Sequence, residues 1–113
     1  MAELPERARQ LLLDSEVDQT VSVVTIWEIA IKHARHGARA IPLSGDLALR
    51  SVKVLGLRLL DITGEHAAAA GGLPPIHGDP FDRMLVAQAL TEPMRLLTTD
   101  ATLARYSDTV ILV

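Results

Sequence analysis

Four acids in this sequence stand where carboxylates can do chemistry: Glu28, Asp79, Asp82 and Asp100. The densest group is Asp79-Pro80-Phe81-Asp82-Arg83, which opens an apolar stretch of helical character reaching Leu90. Asp79 suits the N-cap and Pro80 the first helical position. Asp82 falls at the third, where a carboxylate meets unpaired backbone N–H groups and the positive end of the helix dipole. Capping alone accounts for both aspartates. Glu28 has an equally local account, because Thr25-Ile26-Trp27-Glu28 reads as a capping box and Lys32 lies four residues further on. Asp100 can cap the short helix that follows it. Meeting in space, however, Glu28, Asp82 and Asp100 would repel one another unless a cation lay between them. Mg²⁺ or Mn²⁺ fits that need: each prefers carboxylate and water oxygens, activates water and offsets charge on a phosphate.

The surrounding elements decide whether the acids meet. Leu4 to Leu13 has apolar residues at helical spacing, and a polar break over 14–19 follows. Val21 to Val24 is β-branched and strand-like, and the Thr25–Glu28 box then opens a helix to about His36, stopped by Gly37. The segment 38–42 is a loop, after which Ser44 or Asp46 starts a helix reaching about Leu55 and ended by Gly56. Leu57 to Ile62 reads as a strand, and Thr63-Gly64-Glu65-His66 starts an alanine-rich helix to about Ala70. The run Gly71-Gly72-Leu73-Pro74-Pro75 breaks that helix, and the Asp79–Leu90 helix stops near Pro93. Met94 to Thr98 is a strand, Asp100 to about Arg105 a short helix, and Thr109 to Val113 a terminal strand. Strands alternating with helices predict an α/β sandwich with a mainly parallel sheet. Glu28 and Asp100 follow strands closely and Asp82 sits at a helix start, so all three are expected at the carboxyl edge, where open α/β sheets bind ligands.

Bulk properties narrow the class. With 113 residues, 49% hydrophobic, the chain is expected to form a single globular domain over 1–113. It has no cysteine, hence no disulfide framework and no thiolate metal site. No apolar run is long enough to cross a bilayer and the first residues lack the order of a secretory signal, so the cytoplasm is the default expectation. The net charge of −3 argues against a generally basic nucleic-acid coat. Its distribution is uneven: residues 32–58 carry Lys32, Arg35, Arg39, Arg50, Lys53 and Arg58 against the single acid Asp46. That segment can supply phosphate contacts beside an acidic site, or simply be a solvated face.

Four stretches together carry a resemblance: Thr25-Ile26-Trp27-Glu28-Ile29-Ala30-Ile31-Lys32, Asp61-Ile62-Thr63-Gly64-Glu65-His66-Ala67, Leu73 through Ala89 with its D-P-F-D-R core, and Leu97-Thr98-Thr99-Asp100. In these the sequence resembles a PIN-domain ribonuclease of the VapC toxin type. The resemblance implies a PIN-like three-layer α/β/α sandwich and a metal-dependent endoribonuclease that hydrolyses RNA phosphodiester bonds. It implies Mg²⁺ or Mn²⁺ as cofactor, Glu28, Asp82 and Asp100 as its ligands and catalytic acids, a small antitoxin as partner, and a homodimer or higher self-association. Lys32, Arg35 and Arg83 are the residues expected to contact RNA.

Family members open with a strand carrying a further acid in an L-L-D-T-type motif, ahead of the segment that matches Leu4 onward. The first central strand and its acid are therefore expected to be missing. Leu11-Leu12-Leu13-Asp14-Ser15 cannot replace them, since only six residues separate Asp14 from Val21, too few for a parallel crossover. The alternative function is accordingly a catalytically impaired PIN-like module that binds an antitoxin, RNA or itself. His77, a lone loop histidine, is read as having no catalytic role, His33 and His36 as solvated, and Trp27 as core.

Overall fold

A computed structural model describes residues 6–14, 18–37 and 43–113 of the chain. Its elements run α1 (Glu6–Leu13), β1 (Thr20–Ser22), α2 (Val23–His36), α3 (Gly45–Val54), β2 (Arg58–Leu60), α4 (Gly64–Gly72), α5 (Pro80–Thr91), β3 (Leu96–Thr98), α6 (Ala101–Ala104) and β4 (Val110–Leu112). The α/β class and the parallel pairing follow the sequence reading. The four described strands nevertheless form two separate two-stranded ladders, β1 with β2 and β3 with β4, both parallel. The chain divides into two compact units, residues 19–62 and residues 1–18 with 63–113. The expected loop over 38–42 and the residues before Glu6 lie outside the described residues.

In the unit 19–62, β1 and β2 pair with Val21 opposite Leu59, and the backbone between them crosses over through α2 and α3. The crossover is what parallel pairing demands. α2 begins earlier than the Thr25–Glu28 box predicts. The Ser22 hydroxyl accepts the Val24 N–H at 3.0 Å and caps the helix there, so Val23 and Val24 are helical and Glu28 stands in the second turn. A short hydroxyl at the strand end satisfies an orphan donor at once, which overrides the β preference of two valines. Gly37 ends α2 at φ 76°, a conformation open to glycine. Ser44 caps α3 by accepting from Leu47 N–H at 3.2 Å. Val24, Ala48 and Val52 form the buried face, and α3 approaches α2 so closely that a Cβ built on Gly45 would stand 2.6 Å from the Ala30 Cβ. Trp27, expected in the core, is 54% exposed.

In the other unit, α1 is helical through Leu13, which agrees with rejecting Leu11–Ser15 as a strand. Val86, Leu103 and Val110 make the core, with Leu73, Leu96, Ala104 and Tyr106 packed against them. α5 is buried from Val86 to Ala89. Polar Gln88 is tolerated there because its amide donates to His66 Nδ1 at 3.3 Å. His66 itself is fully buried and completes the α4 cap. Its backbone N–H donates to Thr63 Oγ1 at 3.2 Å, its Nδ1 accepts the Thr63 N–H at 3.0 Å, and its Nε2 lies 2.6 Å from Glu92 Oε2. α4 runs two residues past its expected end, through Gly71 and Gly72. Glycine weakens a helix without breaking it. The stop comes at Leu73, held extended before Pro74.

Candidate functional site

The site in this unit is assembled from two capping aspartates and one helical acid. Asp79 Oδ1 accepts the N–H groups of Phe81 at 2.8 Å and Asp82 at 3.2 Å, with Pro80 in the first turn. That double cap fixes the start of α5 and with it the third helical position, Asp82. β3 ends at Thr98, whose hydroxyl accepts the Asp100 N–H at 3.0 Å. Asp100 divides its carboxylate: Oδ1 accepts the Thr102 N–H at 2.9 Å and caps α6, while Oδ2 turns to His77. Capping and site chemistry are therefore not rivals at this residue. The cap orients the oxygen left for the site.

His77 joins the acids. Its Nε2 is 3.0 Å from Asp100 Oδ2 and 3.7 Å from Asp82 Oδ2, and its Nδ1 accepts the Asp79 N–H at 3.0 Å. The three side chains are partly exposed, 20% for His77, 26% for Asp82 and 40% for Asp100, so solvent reaches the cluster. The Asp100 carboxyl is held below the usual carboxylate range. The Thr102 backbone hydrogen bond is the largest cause, opposed by desolvation and reinforced by the hydrogen bond and charge of His77. It stays ionised at neutral pH.

The loop between α4 and α5 is held by two residues the sequence did not mark for that purpose. The Arg83 guanidinium donates through Nη2 to the carbonyls of Ala70 at 2.9 Å and Leu73 at 3.2 Å, and through Nη1 to those of Pro74 at 3.0 Å and His77 at 3.4 Å. Nη1 also donates to the Tyr106 hydroxyl at 3.2 Å, which in turn accepts the His77 N–H at 2.8 Å. Arg83, expected to meet RNA, thus has its donors turned into the loop that carries His77. A planar fork of five donors suits that task.

Of the expected acids, Asp82 and Asp100 come together around His77. Glu28 belongs to the unit 19–62, on α2, where its carboxylate pairs with Lys32 Nζ at 3.4 Å. Lys32 is about half exposed, and Arg35 is exposed in the last turn of α2. His77 is the residue that sequence reasoning missed. The available signal was its position two residues before a double-capping aspartate, which places its ring beside the helix start.

The donor chemistry fits a hard divalent cation. One atom each from His77, Asp82 and Asp100 lie within 4.8 Å of one another. Two carboxylates supply negative oxygen donors, and exposure leaves room for waters.

The chain is an α/β protein with acids fixed at a strand end and at a helix start. The family is specific: the PIN domain matches residues 2–108, and the chain belongs to the PIN-domain family. Its members are generally nucleases that act on RNA or DNA, typically with Mg²⁺ or Mn²⁺. No curated protein and no solved structure matches the chain. Among the described residues no helix is long and apolar enough to cross a membrane.

Proposed function

We propose that the chain is a Mg²⁺- or Mn²⁺-dependent endoribonuclease, the toxin of a toxin–antitoxin pair, that hydrolyses RNA phosphodiester bonds in the cytoplasm. The observation that carries this reading is the convergence of Asp82 and Asp100 beside His77 in a chain of a nuclease family. Asp82 and Asp100 would hold the ion in this unit, and Glu28 is proposed as a further metal-binding acid on the strength of the Thr25–Lys32 resemblance alone. When bound, the ion supplies positive charge against the phosphodiester and makes water a stronger nucleophile.

The chain's own residues set the stage for that chemistry. The Thr102 N–H fixes the Asp100 carboxylate and keeps it ionised. Asp79 sets the rotation of Asp82 by capping α5. Lys32 and Arg35 draw the RNA backbone by charge, a contact that positions without reading sequence. Arg83 holds the loop in place. A small antitoxin and a second copy of the chain are the proposed protein partners. A second reading, an impaired PIN-like module that binds an antitoxin, RNA or itself, is favoured by one observation: Asp100 Oδ2 already has the His77 imidazole as its partner.

The test is RNA cleavage with Mn²⁺ or with chelator. Wild type cleaves only with the metal, and Asp82→Asn loses about 100-fold or more, the equivalent of ~2.7 kcal/mol in barrier. Unchanged cleavage by Asp82→Asn removes the assignment.

A further inference from the structure

We infer that Trp27 is a base-stacking platform: its indole stacks on an unpaired base of a single RNA strand whose phosphates run along Lys32 and Arg35. The inference rests on the RNA reading above and deepens it, because that reading has contacts to phosphates and none to a base.

The ring's place in the helix is the first observation. Trp27 is the single tryptophan of the chain and opens the second turn of α2, where it is 54% exposed. At 3.6 residues per turn and 1.5 Å per residue, Arg35 follows it at i+8, about 80° round the helix and about 12 Å along it. Lys32 and Arg35, three residues apart, are neighbours on the helix surface, and Arg35 is the member on the Trp27 side. Both are exposed. One helix therefore carries an open aromatic ring and two cations within reach of a short strand.

Charge selects the ligand. An exposed indole alone would accept any apolar surface, but residues 32–58 hold six basic residues against the single acid Asp46. A second copy laid on this helix about a two-fold axis would bring the same positive charge against itself. A nucleic-acid strand instead supplies a π face for the ring and phosphates for the cations, the pairing on which single-strand binders are built. The base must be unpaired, because in a duplex both its faces are already covered by its neighbours. Stacking of this kind tolerates any base, so the platform grips single strands without reading their sequence.

A lone tryptophan makes the test direct, since all indole fluorescence comes from Trp27. The full chain is titrated in chelator, which stops metal-dependent cleavage, with a single-stranded oligouridylate of about 12 nucleotides, within the span such grooves cover. The strand quenches the fluorescence, whereas an abasic ribose-phosphate oligomer of the same length binds more weakly and leaves it unchanged. In anisotropy with a labelled strand, Trp27→Ala binds about 10-fold more weakly than wild type, ~1.4 kcal/mol. Trp27→Phe, which keeps a π face, stays within about 3-fold. The salt dependence of binding keeps its slope in Trp27→Ala, because no phosphate contact is lost. Equal affinity of Trp27→Ala and wild type overturns the inference, and so does a loss of affinity accompanied by a shallower slope, which marks displaced cations. Loss of self-association by Trp27→Ala in sedimentation, with RNA affinity intact, overturns it in favour of a contact between copies. If wild type binds no single-stranded RNA at all, it is the RNA reading that fails.

Discussion

Replacing Arg83 by methionine keeps most of the side chain's length and apolar stem and removes its donors. The guanidinium serves the Ala70 carbonyl of α4, three carbonyls of the loop that follows and a tyrosine hydroxyl. A hydrogen bond to a charged group contributes about 1.5–3 kcal/mol, less where water can replace it. The contacts to Leu73 and His77, at 3.2 and 3.4 Å, are the weaker ones and are set at zero. The shorter bonds to Ala70 and Pro74, at 2.9 and 3.0 Å, then carry about 3 kcal/mol at the low end of the range. With unfolding entropy near 2.1 cal/mol/K per residue, that loss lowers Tm by roughly 12 °C in a chain of this length. Arg83→Lys recovers little of it, because an ammonium on a flexible stem cannot span carbonyls of α4 and of the following loop at once. Calorimetric unfolding of the three proteins, with RNA binding measured beside it, is the assay. An Arg83→Met protein as stable as wild type but weaker on RNA would refute the clamp and return Arg83 to the phosphate-binding role expected from sequence.

Other parts of the structure make equally concrete predictions. Gly45→Ala forces a Cβ against Ala30 and costs about 1–3 kcal/mol by overpacking, with Ala30→Gly restoring part of the loss in a double-mutant cycle followed by urea unfolding. His66→Ala strips the Thr63 N–H of its acceptor and Glu92 of its partner while opening a cavity, so stability falls by about 2–4 kcal/mol; a loss below about 1 kcal/mol contradicts the buried cap. The Asp100 carboxyl is depressed in the folded chain, so its stabilisation is present above the ordinary carboxylate range and fades as pH falls through the folded value. Urea midpoints measured downward from pH 6 therefore drop more steeply below about pH 4 for wild type than for Asp100→Asn. Parallel curves would contradict that.

How much of this was legible in the sequence depended on the range of the interaction. The cap of α5 was legible because Asp79, Pro80 and Asp82 act within one turn. Thr63 was legible as a helix start, but His66 as its reciprocal partner was not, because glutamate or glutamine usually fills that position. The start of α2 was misjudged because two local signals competed, and the Ser22 hydroxyl won over the Thr25–Glu28 box. The two glycines at 71 and 72 carried a break signal that the helix tolerates. The contact of His77 with Asp79 had a local signal, but its contact with Asp100 had none: Asp100 lies 23 residues away, and the loop is set by Arg83 and Tyr106. The parallel pairing followed from alternation, whereas the separation into two short ladders had no local signature.

Asp100→Asn tests the central claim most directly, because it separates the two jobs of one carboxylate. The asparagine carbonyl still accepts the Thr102 N–H and caps α6, which keeps the fold, while the amide replaces the charged oxygen that faces the site. The account predicts that RNA cleavage in Mn²⁺ falls about 100-fold or more with Tm little changed. Cleavage at the wild-type rate by a folded Asp100→Asn protein would contradict it.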